Sequence, residues 1–192
     1  MSERSSTEAA SLTPNLRSSL TGAAAVALLY ACFAKVVLVL FATNGVVSLV
    51  WPPSGVALAA LLLGGGRLVP GVFVGALTAN LWAGNPLSVS VAISVGNTLE
   101  AVVAWRMLSA RAGFSVDFDR LAHFRQLLLA AGLGSLVAAC GGAATLLASG
   151  FLSADRFWFN LLQWWQGDML GMLLMTPALL VWRRPPWREW FG

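Results

Sequence analysis

Three ionisable residues stand inside long apolar runs of this 192-residue chain: Lys35, Glu100 and Asp168. A charged side chain at membrane depth costs about 2.5–3.5 kcal/mol on insertion scales unless it is paired, hydrated or neutralised. At about 1.5 Å per helical residue, counted from the outer ends of their runs, Lys35 lies about 10 Å deep, Asp168 about 14 Å and Glu100 about 20 Å. Lys35 therefore reaches Asp168 more readily than Glu100. A structural Lys–Asp pair and a ligand-binding role for these charges both stay open at this point.

Other polar residues add to the pattern. Asn80 and Thr98 lie in the same apolar background as Asn97, which is three residues before Glu100 and shares its helical face. Ser90 and Ser94 extend a small polar stripe. Trp164 and Asp168 are four apart, on one side of a helix, and Trp164 lies deeper than an interfacial aromatic belt requires. These groups serve either as hydrogen bonds between helices or as the lining of a polar pocket.

The elements that must position them turn on Trp51-Pro52-Pro53-Ser54-Gly55. Two adjacent prolines remove two backbone donors and are tolerated in the first turn of a helix. A helix from Pro52 to Gly64 is shorter than the roughly 20 residues a span needs. The chain before it must then cross outer membrane depth irregularly, which is tolerated only against protein or a wet cavity. The first N–H groups of such a helix, notably those of Ser54 and Gly55, lack intrahelical partners and favour an anion or a polar oxygen. The expected acceptor is a ligand oxygen or a side chain such as Asn97, Glu100 or Asp168 if the turn faces a pocket, and water if it sits at the outer interface. The candidate ligand-binding set is Trp51, Pro52, Pro53, Ser54, Asn80, Asn97, Glu100, Trp164 and Asp168.

The chain is 58% hydrophobic and 10% charged, against about 25% charged residues in soluble domains. An all-α integral membrane protein follows. Six apolar segments, at 18–42, 46–64, 68–83, 87–108, 125–149 and 159–182, give a bundle of about six transmembrane helices. Residues 1–17 read as a disordered cytoplasmic tail, 18–184 as the membrane domain and 185–192 as a second cytoplasmic tail. Arg4, Arg17, Arg67, Arg106, Arg111, Arg120, Arg125, Arg183, Arg184 and Arg188 fall on one side and Arg156 on the other. By the positive-inside rule both termini are cytoplasmic. The formal charge of +4 then reflects topology and anionic headgroups, with the lipid bilayer rather than nucleic acid as partner. Trp51, Trp82 and Trp158 fit an outer aromatic belt.

Cys32 and Cys140 lack metal-ligand spacing and read as small buried hydrophobes. His123, in the long loop 109–124, has no second ligand nearby and reads as a solvated side chain. Small residues spaced by four (Gly71/Gly75, Gly134/Ala138/Gly142, Gly167/Gly171) allow close helix packing within the bundle, or a homodimer. No nucleotide-binding loop, nucleophile elbow or kinase signature occurs. The protein is expected to be no enzyme and to hold neither metal nor cofactor.

Four blocks in order carry a family resemblance: WPPSGVALAALLLGG at 51–65, LVPGVFVGALTANL at 68–81, GNTLEA at 96–101 and WWQGDMLGMLLMTP at 164–177. Together they resemble the first MASE family of membrane-associated sensor domains. The resemblance covers about residues 20–182. It implies a bacterial inner-membrane input module of the kind placed before histidine kinases, as in two-component systems, or diguanylate cyclases. Such a module perceives a small ligand or a membrane partner. Family domains continue beyond the equivalent of Pro177 with further helices and an output domain. This sequence ends at Gly192, so a kinase or cyclase would read the signal in cis or in trans. The alternative function is a small-molecule-binding component of a membrane transporter.

Overall fold

The computed structural model describes residues 3–41, 50–111 and 113–182, with backbone alone for residues 3–17 and 41. The described residues form six α-helices and no strand: α1 (Glu3–Phe41), α2 (Pro52–Gly64), α3 (Val69–Trp82), α4 (Leu87–Ser109), α5 (Leu121–Ala148) and α6 (Phe157–Trp182). The all-α expectation holds. Helix α1 runs back to Glu3, through residues that the sequence suggests as an unstructured tail. The tail expected at 185–192 and most of the link between α1 and α2 lie outside the described residues.

Four stretches are long and apolar enough to cross a membrane: Ser18–Leu40, Pro52–Trp82, Leu87–Ser109 and Leu121–Ala148. Length and composition thus mark four stretches where the sequence suggests about six spans, and one of the four holds two helices. Helices α2 and α3 have 13 and 14 residues, each short of a span, and together make the 31-residue stretch. Helix α6 has 26 residues, but Asn160, Gln163, Gln166 and Asp168 lower its apolarity.

Contacts along the helices fix their directions. Gly22 meets Leu68, Gly71 meets Ala23, Gly75 meets Tyr30 and Trp82 meets Lys35, so α3 runs parallel to α1. The turn at Gly65–Leu68, with Gly65 at φ 71°, reverses the chain between α2 and α3. Gly55 lies on Gly171 and Met175, so α2 runs parallel to α6. Gly134 lies on Glu100 and Ala104, and Gly142 on Trp164. Helix α5 is therefore antiparallel to both α4 and α6. Arg67, Arg106, Arg111, Arg120 and Arg125 consequently sit at one end of the bundle, and Arg156 at the other.

Most of the small residues singled out are spent on packing inside the bundle. A Cβ on Gly71 would strike the backbone of Ala23, and one on Gly75 would come within 2.7 Å of Tyr30 Cβ. In lipid such close approach supplies the dispersion that hydrophobicity does not. The apolar core forms two main clusters: one around Tyr30, Ala57, Leu61 and Val72, the other around Leu58, Ala104, Leu127 and Met172.

Two expectations are corrected. Cys32 and Cys140 are exposed on the outside of the bundle, because helical rotation carries them away from the packed faces. His123 is buried, not solvated. Its Nε2 lies 2.8 Å from the Gly113 carbonyl and its Nδ1 lies 3.1 Å from Asp119 Oδ1. It pins the loop before α5 against the helix, with Phe114 edge-on to its ring at 6.0 Å.

Candidate functional site

Helix α2 begins inside the bundle. Trp51 is extended, at φ −115° and ψ 83°, and the two prolines fill the first helical positions without a side-chain cap. The Trp51 N–H donates to the Gly167 carbonyl at 2.9 Å, and the Ser54 N–H donates to the Trp51 carbonyl at 3.2 Å. Irregular backbone at this depth thus finds protein partners, as a bilayer demands. Gly167 is about 15 Å along α6 from Phe157. Trp51, expected in an outer belt, is half-buried and turned toward the bundle. It packs on the core cluster, beside the Tyr30 hydroxyl. Only glycine fits opposite: a Cβ on Gly171 would collide with the Trp51 carbonyl.

Around this helix start five helices bring polar groups together. Ser54 Oγ lies 3.2 Å from Glu100 Oε2 on α4 and 3.1 Å from Asp168 Oδ1 on α6. Ser135, on α5, donates to Glu100 Oε1 at 2.9 Å. Asn97 Nδ2 donates to the Tyr30 hydroxyl, on α1, at 3.3 Å. Ser54, Glu100 and Asp168 are each 2% exposed or less. Thr176 closes the junction by donating to the Gly55 carbonyl at 3.2 Å.

The hydroxyl of Ser54 has a single proton and so donates to one acceptor. Its second carboxyl contact is attractive only if that carboxyl is itself protonated and donates to Oγ. The geometry therefore fits an acid pair that holds one proton between Glu100 and Asp168. Two ionised carboxylates side by side in apolar surroundings would repel strongly.

Most of the expected site residues meet here: Trp51, Pro52, Pro53, Ser54, Asn97, Glu100 and Asp168. Trp164 stands beside the Asp168 carboxyl, with its ring over Gly142. Asn80 does not join them. Its Nδ2 bonds back to the Ala76 carbonyl, and its Oδ1 accepts from Asn85 in the turn between α3 and α4. Ser94 and Thr98 likewise bond carbonyls of their own helix. The Lys35–Asp168 pair is not formed. Lys35 is exposed, with its ammonium 5.4 Å from the Trp82 ring, while Asp168 faces Ser54. Depth alone suggested the pair, and rotation about the helix axes separates it. The acceptor for α2 also differs from expectation: the carboxyls meet the Ser54 side chain, while its backbone N–H turns to Trp51.

Two residues of this centre went unnoticed in the sequence. Tyr30 is the sole tyrosine of the chain, and a phenol in an apolar helix needs a partner. That signal was available. Ser135 gives none, since a serine between small residues reads equally as packing.

A helical domain with long apolar stretches and an acidic centre at an interior helix start belongs to the membrane-embedded class. The MASE1 family model matches residues 23–191, so the chain belongs to the MASE1 family. MASE1 is a membrane-associated sensor domain, not a catalytic one. Neither the curated proteins nor the solved structures yielded a match.

Proposed function

We propose that this chain is the sensory input of a bacterial inner-membrane signalling system, with its arginine-rich end and both termini in the cytoplasm. A small ligand or membrane partner acts at the centre formed by Ser54, Glu100 and Asp168, and α6 carries the change to a kinase or cyclase output in cis or in trans. The observation that carries this reading is the seating of α2 on α6. The Trp51–Gly167 backbone bond, the Ser54–Asp168 contact and the Gly55–Gly171 packing all join the interior start of one helix to the other. A change at Ser54 is therefore felt directly by α6, whose end leads to the C-terminus.

Native mass spectrometry of the full chain, extracted gently from bacterial membranes, tests this. The expected result is a retained small molecule, membrane partner or kinase or cyclase, released by Asp168→Asn. Co-purification with ATPase and coupling subunits would instead support a transport component, and a bare chain would remove the support for a resident signal.

A further inference from the structure

We propose that the Ser54–Glu100–Asp168 centre is a binding site for a single dehydrated monovalent cation, for which sodium is the probe. The inference rests on the sensor reading and names the ligand class for the same site. Beyond the acid pair itself, two oxygens point to an occupant. Asn97 Oδ1 is buried and has no hydrogen-bond partner among the described residues, and Asp168 Oδ2 makes no well-formed hydrogen bond, with the Trp164 side chain alone beside the carboxyl; Asp168 is 2% and Asn97 6% exposed. Buried acceptors left in this state are costly and call for an unseen partner. Asn97 lies three residues before Glu100 on one face of α4 and bonds the Tyr30 hydroxyl.

The groups that face the centre are the Tyr30 hydroxyl from α1, Ser54 from α2, Asn97 and Glu100 from α4, Ser135 from α5, and Trp164 and Asp168 from α6. Their acceptor atoms are all oxygens, the donor set of hard cations rather than of zinc or copper. No Lys or Arg among the described residues is seen to pair with either carboxyl; Lys35 is engaged by Trp82, and Asp119 pairs with His123, beside the loop that precedes α5. Charge selects the valence. With one proton held through Ser54 the centre is left at −1, and one monovalent cation brings it to zero. Magnesium gives up its water reluctantly, which disfavours it at a site this deep.

The test uses the purified full chain in lipid nanodiscs, without any output protein. Thermal unfolding is followed in choline chloride, NaCl, KCl and CaCl2 at matched ionic strength. Sodium is expected to raise the midpoint saturably, by about 5 °C or more at 100 times its dissociation constant, relative to choline. Asp168→Asn, which removes the ionised carboxylate bearing Oδ2, is expected to lose that response. A sodium titration of tryptophan fluorescence, compared between the wild type and Trp164→Phe so that the signal of Trp164 beside Asp168 is separated from the other eight tryptophans, gives the same answer if a variant fails to fold. Equal midpoints in choline and sodium with a flat titration, a response confined to calcium, or a sodium shift that survives Asp168→Asn would each overturn the proposal. Because no signalling is read, failure here leaves the sensor reading to its own experiment.

Discussion

At the scale of single residues, Ser54 holds the centre because one hydroxyl serves two carboxyls that would otherwise face each other unscreened. Ser54→Ala leaves both acids buried without it and is expected to destabilise the protein by about 1–3 kcal/mol. Lys35→Met, on an exposed side chain, is expected to change stability by less than about 0.5 kcal/mol; chemical denaturation in mixed micelles compares the two. Ser54, Asn97, Glu100 and Asp168 were legible in the sequence because polar groups in an apolar run must be satisfied by something. Their partners were only half legible. Residue counting gives depth along a helix but not rotation about it, so Lys35 looked like the mate of Asp168 and Asn80 like a member of the set. Tyr30 and Ser135 arrive from helices whose faces no spacing rule aimed at the centre.

At the scale of elements, the paired prolines announced a half-length α2, and the structure starts that helix at Pro52 inside the bundle. The sequence separated the two segments, at 46–64 and 68–83, but the count of spans was less legible, because helices of 13 and 14 residues are each short of a span. Seating α2 on α6 depends on glycine. Gly171→Ala drives a methyl into the Trp51 carbonyl and is expected to cost about 1–3 kcal/mol. Gly141→Ala, on the open face of α5 with nothing within 4 Å, is expected to be neutral or stabilising by roughly 0.5–1 kcal/mol. Thermal unfolding of the two variants side by side checks this, and equal losses would mean that the α2–α6 contact is not tight.

At the scale of the whole molecule, the helix directions gather Arg67, Arg106, Arg111, Arg120 and Arg125 at one end, the end that the proposed topology puts in the cytoplasm. In a chain carrying Cys32→Ser and Cys140→Ser, both at exposed positions, Asn85→Cys is expected to react with an impermeant thiol reagent in intact cells. Ser115→Cys is expected to react only after permeabilisation, and its labelling in intact cells would invert the topology. The central claim is that the bundle is tied together at one buried point where α2, α4 and α6 meet. A thermodynamic cycle in lipid, with Ser54→Ala, Asp168→Asn and the double variant, tests it most directly. The account predicts coupling of about 0.5–3 kcal/mol between Ser54 and Asp168, with Lys35→Met additive to Asp168→Asn. Additivity of Ser54→Ala and Asp168→Asn within about 0.3–0.5 kcal/mol would contradict it.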